Sequence, residues 1–243
     1  MSLANPAAKV EQLIESPFAE DLVVAASHSS LGEDLALAML RRRDLPATAM
    51  EALNRNHSVV KHRTVLLQLI EHPRTPRHVS LPLLRRLFTF ELMEVALASA
   101  VAADVKLMAE ELLIAKVKTL SLGERITLAR RASAGMAGVL LLHSEQPVIE
   151  AALQNPRTTE ANILKSLARP ATPSLLLMLL IEHPKWSLRR EIQIAILRRP
   201  EATEAIALQT AAKLPKSAIH HVLTHVALPP GRRELLQRTL LER

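Results

Sequence analysis

Five times along this chain an apolar helical stretch runs into a polar residue and then proline: IEHP at 70–73, LQNP at 153–156, LARP at 167–170, IEHP at 181–184 and LRRP at 197–200. Proline has no N–H to give to a helix and pushes the residue before it out of helical geometry, so each motif is a stop signal. Pro156, Pro170, Pro184 and Pro200 stand 14, 14 and 16 residues apart, which leaves room for a helix of about three turns and a connecting turn in each interval. A helix that short cannot bury its apolar face alone. Stacked neighbours have to supply the core.

The composition points the same way. Of the 243 residues 49% are apolar, too many for a disordered chain, yet aromatics make up only 2%: Phe18, Phe88, Phe90 and Trp186. The core must therefore be Leu, Ala, Ile and Val, a mixture suited to helix-on-helix packing. Five glycines against fifteen prolines imply short, stiff connections, and neither a Walker-type nor a dinucleotide-binding glycine motif is present. Zero cysteines exclude disulfides, thiol nucleophiles and thiolate metal sites. The sequence MSLANPAAKVEQLIES lacks a basic region followed by an apolar one, and the longest apolar run, 175–181, is far too short for a membrane span. The compartment expected is the cytoplasm.

Helix starts are marked as clearly as the stops. Ser30–Glu33 and Ser121–Glu124 both read SLGE, a capping-box pattern, and Thr75-Pro76 and Thr172-Pro173 read as a Thr cap followed by Pro at the first helical position. Thr158 or Thr159, Ser187 and Thr203 stand in the equivalent place after their prolines. The apolar periodicity predicts helices at 7–15, 18–28, 31–42, 46–55, 58–71, 76–88, 90–99, 104–119, 122–132, 134–143, 146–154, 159–168, 173–182, 187–198, 203–213, 215–227 and 230–241. The helix 173–182 is apolar all round, as if covered on more than one side. The fold class expected is all-α: a single helical-repeat domain over 1–243 of about 16–17 short antiparallel helices, with the acidic stretch 91–124 as the place for any break between lobes. The order SLGE, then Pro-Arg-Thr, occurs twice, at 30–33 and 73–75 and again at 121–124 and 156–158, with unequal offsets, which raises the question of an internal duplication.

The segment ALQNPRTTEANILKSLARPATPSLLLMLLIEHPKWSLRREIQIAILRRPEAT (152–203) resembles the degenerate helical repeats of the HEAT and leucine-rich-repeat-variant type found in uncharacterised bacterial proteins. The resemblance implies a right-handed α-solenoid, HEAT/armadillo-like, with a role in binding. Some leucine-rich-variant proteins carry an iron–sulfur cluster on cysteines, which this chain lacks.

Chemistry is hard to find. His221 and His225 have the i, i+4 spacing of two metal ligands, with His220 beside them, but no third ligand falls nearby. His72 and His183 recur in IEHP, where an imidazole at a helix C-terminus can bond free carbonyls. No G-x-S-x-G elbow is present, and Gly135–Gly138 (GMAG) reads as a site of close helix packing because the strands of an RNA-binding G-x-x-G fold are missing. A helical-repeat DNA glycosylase is the enzyme alternative, with Trp186 and Asp44 or Asp104 as its only candidate groups. Trp186 otherwise reads as a hydrophobic staple across its turn or an anchor for a partner. The reading adopted is non-enzymatic: no catalytic residues, no metal, no cofactor, no small-molecule substrate and no membrane.

Arginine is the better lead. Of the 31 basic residues 22 are Arg, and the net charge is +7. Arg41-Arg42-Arg43, Arg85-Arg86, Arg189-Arg190 and Arg198-Arg199 recur near helix ends, as do Arg130-Arg131 and Arg232-Arg233. In a solenoid, equivalent helix ends line up, so these residues would form a charged edge. With Trp186 they are the candidate binding residues. The expected function is protein binding through a face lined by Leu and Arg from alternate helices; the alternative is a polyanion, duplex nucleic acid sooner than single strands given the lack of aromatics for stacking.

Overall fold

The computed structural model describes residues 6–170 and 172–241 and, among these, is all-helical with no strand. The chain divides into two compact units, the first ending at Lys118 and the second beginning at Thr119. The first contains α1 (Pro6–Glu15), α2 (Ala19–Ser27), α3 (Glu33–Leu40), α4 (Ala47–Arg55), α5 (His57–Val60), α6 (Arg63–Glu71), α7 (Arg77–Leu84), α8 (Thr89–Leu97) and α9 (Ala103–Lys116). The second contains α10 (Leu122–Arg131), α11 (Ala134–Leu140), α12 (Gln146–Gln154), α13 (Glu160–Leu167), α14 (Ser174–Glu182), α15 (Arg190–Leu197), α16 (Glu204–Lys213), α17 (Lys216–His225) and α18 (Arg232–Leu241), with a 3-10 turn at Trp186–Leu188 before α15. No helix is long and apolar enough to cross a membrane among the described residues.

In each unit the helices pack on their second neighbours in two rows. In the first unit α1, α3, α6 and α8 form one row, and the other contains the pairs α2 with α4 and α7 with α9. In the second, α11, α13 and α15 form one row and α10, α12, α14, α16 and α18 the other. The all-apolar α14 is accounted for by this arrangement: it is covered by α12, α16 and the 3-10 turn, which bury Leu176, Leu177, Leu179, Leu180 and Ile181.

The predicted helix 58–71 is two helices. Asn56 Oδ1 accepts the Ser58 N–H at 3.1 Å and starts the single turn α5; His62 is then extended and its ring meets Glu33 at 2.9 Å, so α6 starts afresh. The caps also need revision. The box at Ser121–Glu124 forms, with the Glu124 carboxylate accepting the Ser121 N–H at 2.8 Å, and Thr159, Ser133 and Thr203 cap their helices. The identical SLGE at 30–33 forms no box, because Glu33 turns to His62 and Thr64 and Gly32 takes the cap position.

Thr75 and Thr172 do not cap the helices that follow them. They are buried, and their hydroxyls donate backwards, Thr75 to the Leu69 carbonyl at 2.5 Å and Thr172 to Ser166 at 3.1 Å; Thr158 does the same to Ala152 at 2.7 Å. Each closes the preceding helix by satisfying one of its last carbonyls. Ser187 is likewise no cap: Arg189 precedes α15, and the Ser187 carbonyl accepts from the buried Gln193 side chain.

The residue at the helix C-cap does complementary work. His28, Asn56, His72, Asn155 and His183 are all extended there, and each uses a ring nitrogen or amide oxygen to accept the N–H two residues on, at 2.8–3.2 Å. Their donors reach back about one helix pair: Asn56 to Ala26 and His28, Asn155 to Ala129 and Ala132, and His72 Nε2 to Arg42, at 2.8–3.1 Å. With Nδ1 accepting, His72 must be the neutral Nε2–H tautomer. The expected bond to a carbonyl is made by His72, and both His72 and His183 in addition accept an N–H from the turn that follows.

The two units share one register. Ala19 and Gln146, Glu33 and Glu160, Ala47 and Ser174, Arg63 and Arg190, Arg77 and Glu204, and Thr89 and Lys216 all begin helices, and one constant interval separates the members of every pair. At the same shift α5 corresponds to the 3-10 turn, Val59 and Trp186 are both buried, and the C-cap residues His28 and Asn56 correspond to Asn155 and His183. The shorter offsets read from SLGE and Pro-Arg-Thr link positions that are not equivalent.

Burial, with the nearby Lys185 charge adding to it, pushes the His183 imidazole below its ordinary value of 6.5. The unfolded chain then takes up the proton first, so the stability this group contributes is present above 6.5 and is lost as the pH falls through the depressed folded value. Replacing His183 by Asn, the residue at position 56, should preserve the melting temperature at about pH 8 and flatten its decline between about pH 7 and pH 5. Thermal melts across that range test this.

Candidate functional site

In the clusters 41–43, 85–86 and 198–199 the arginine side chains divide between bonded and free. Neighbouring residues near a helix end point about 100° apart, so one side chain can turn into the stack while the other faces out. Arg42 donates to the carbonyls of Ile14 and Ser16 and pairs with Asp44 at 2.7 Å, which holds the Asp44 carboxyl below its usual range. Arg199 donates to Pro170 at 3.1 Å and pairs with Glu201 at 2.8 Å. Arg86 reaches the Val60 carbonyl at 3.4 Å, and the buried Arg232 reaches Ala202 at 2.5 Å. By contrast the side chains of Arg41, Arg43, Arg85, Arg189, Arg190 and Arg198, like those of Arg130 and Arg131, are exposed and have no hydrogen bond or ion pair in this structure. Trp186 offers no surface: it is 2% exposed, its indole N–H donates to the Leu153 carbonyl at 3.0 Å, and Lys185 lies over its ring.

Arg41 and Arg198, two of these arginines, border corresponding grooves, and Arg43 lines a pocket adjoining the first. In the first unit α3, α6 and α8 enclose a groove of about 330 Å3 lined by Leu37, Arg41, Thr64, Leu67, Gln68, Glu71 and Glu94. In the second, α13 and α15 enclose one of about 450 Å3 whose lining includes Leu164, Ala168, Glu191, Ile194, Ala195, Arg198 and Arg199. The register shared by the two units superposes the linings: Leu37 on Leu164, Leu67 on Ile194, Gln68 on Ala195 and Glu71 on Arg198. The same row of helices therefore presents one groove design in each unit.

The apolar floor lay outside the sequence-based selection of site residues, although a signal for it was present. In α6 the core takes Val65, Leu66, Leu69 and Ile70, and in α15 it takes Ile192, Ile196 and Leu197. Leu67 and Ile194 are apolar, out of phase with those stripes and half-buried; each lines its groove, and Ile194 also packs partly against the core of the second unit. An apolar residue on the wrong side of an amphipathic helix needs a reason.

Glu71 sits at the mouth of the first groove with no cation paired to it in this structure. Burial raises its carboxyl above the usual value, and the neighbouring Glu94 adds to the effect.

The remaining candidate residues have other contacts. His221 and His225 are exposed and stacked, ring centroids 4.8 Å apart, and no group of three metal-ligating side chains occurs among the described residues. Asp104 pairs with Arg77 at 2.6 Å and Asp44 with Arg42, while Trp186 is buried. Gly138 faces Asn162 of α13, but an added Cβ would sit 3.8 Å from the Asn162 Cβ, an ordinary van der Waals distance, so the packing there does not require glycine. No protein-family model matches this sequence, and no curated protein or solved structure is significantly similar to it.

Two outcomes follow. Arg42→Ala should destabilise the fold by about 1.5–3 kcal/mol in denaturant melts, the usual worth of hydrogen bonds to a charged donor, whereas Arg43→Ala should leave the midpoint unchanged. Because the native carboxyl of Glu71 titrates above the unfolded one, stability falls as pH rises between the two values. Glu71→Gln should therefore raise the melting temperature at neutral pH and have no effect below about pH 4.

Proposed function

We propose that this chain is a non-enzymatic α-solenoid, right-handed and akin to degenerate HEAT or leucine-rich-variant repeats, that binds another protein through the grooves of the α3–α6 and α13–α15 row. Second-neighbour packing in two rows and side-chain donors that reach 23–33 residues back to backbone carbonyls support the repeat architecture. The observation that carries the binding reading is the half-buried apolar floor, Leu37 with Leu67 and Leu164 with Ile194, which lines a groove bordered by exposed charge in both units. The low aromatic content and the absence of cysteine agree with a cytoplasmic binding module.

The polyanion reading has one observation in its favour, exposed arginine side chains without partners, among them Arg41, Arg43, Arg85, Arg189, Arg190 and Arg198. It is weakened by the fate of Arg42, Arg86 and Arg199, whose guanidinium groups serve backbone carbonyls.

The test is affinity capture from a nuclease-treated native lysate with the wild-type chain and with a Leu67→Asp, Ile194→Asp variant that melts normally. Proteins retained by the wild type should be reduced about tenfold or more on the variant, as expected when an apolar anchor is lost; equal retention overturns the reading. Retention of duplex DNA that falls steeply with salt, and is flattened by replacing Arg189, Arg190 and Arg198 with Gln, would favour the polyanion instead.

A further inference from the structure

The register that superposes the two grooves also isolates how they differ. Their floors are interchangeable, Leu37 and Leu67 in one, Leu164 and Ile194 in the other. Their charges are not. The first groove carries Arg41, Glu71 and Glu94; at the corresponding positions the second has Ala168, Arg198 and His221, and it adds Glu191 in place of Thr64. Within the second groove Arg199 is already committed to Glu201 and to the Pro170 carbonyl, so Arg198 is the cation left for a ligand. Within the first, Glu71 and Glu94 outnumber Arg41, with Arg43 on the adjoining pocket, and Glu71 is partly withdrawn from water with no cation paired to its carboxylate. Such a carboxylate gains more from an incoming ammonium or guanidinium than one on open surface does.

We infer that the two grooves bind peptide segments of opposite charge: the first takes an apolar ridge flanked by Lys or Arg, the second an apolar ridge flanked by Asp or Glu, with position 71 or 198 setting the sign. This rests on the groove reading above and adds the chemistry of the occupant. Both segments belong to protein partners, since the Leu-lined floors have nothing to offer a phosphate backbone. The raised carboxyl of Glu71 agrees with a site that awaits a cation, and binding one should lower it.

The full chain can be titrated, at low ionic strength, with two fluorescein-labelled amphipathic peptides of identical Leu spacing, one with Lys and one with Glu beside the Leu ridge, followed by fluorescence polarisation. Both should bind. Arg198→Glu should weaken the Glu peptide about tenfold and spare the Lys peptide, and Glu71→Arg should do the reverse, because reversing one charge turns attraction into repulsion. The neutral variants Glu71→Gln and Arg198→Gln should give intermediate losses with the same selectivity, and they carry the test if a reversal disturbs folding. If the charge variants move both peptides alike, or neither, while Leu67→Asp with Ile194→Asp abolishes binding of both, the charge assignment is overturned and the groove reading stands. If neither peptide binds, or if the Asp variants bind both as well as the wild type does, the groove reading fails and this inference with it.

Discussion

A helix of eight to ten residues leaves most of its terminal N–H and C=O groups without partners inside the helix, because four of each lie beyond the reach of its own bonds. A chain built almost wholly of such helices must satisfy those groups at its turns, and the turns of this protein are organised for that. Buried threonines close the helix that has just ended, and C-cap Asn and His residues accept the next turn's N–H while donating to a carbonyl about one helix pair earlier. Local closure and stacking are thereby performed by the same few side chains. This is why the polar-proline motif recurs: the polar residue is the joint, and the proline ensures that the chain turns there.

The same demand divides the arginines. Helix C-terminal carbonyls are numerous and carry partial negative charge, so a guanidinium beside them is drawn inward. Arg42 goes to carbonyls at the end of α1, and Arg199 and Arg232 to carbonyls of the turns after α13 and α15, while the side chains of Arg41, Arg43 and Arg198 stay exposed. A charged edge inferred by counting arginines therefore overstates the one the fold presents. What the fold leaves at the grooves is half-buried apolar side chains set off by helix phase from the main core stripes, with charge at their borders.

The internal register explains which sequence signals misled. SLGE and Pro-Arg-Thr each occur twice, but a short polar motif is reused wherever a turn needs it, and one SLGE is a capping box while the other sends its Glu to His62 and Thr64. What the units share is burial: Leu22 with Ile149, Val65 with Ile192 and Leu92 with Ile219 occupy equivalent core positions with no identity to betray them. Apolar residues of similar volume replace one another at little cost, so the pattern persists where the letters do not.

Composition and periodicity alone determined that the chain is helical, that its helices are about three turns long, and where nearly all of them stop; proline and apolar phase act within a few residues, so those facts are local. The break between Val60 and Arg63, the backward-pointing threonines, the buried Trp186 and the separation of structural from free arginines emerged only in the folded chain, where donors such as Asn155 and Trp186 meet carbonyls 23–33 residues away that no local pattern encodes. The grooves belong with these. Leu67 and Ile194 are visible in the sequence as misplaced apolar residues, but only the packing of α3 beside α6 and α13 beside α15 brings each opposite its partner and sets Glu71 in one groove where Arg198 stands in the other.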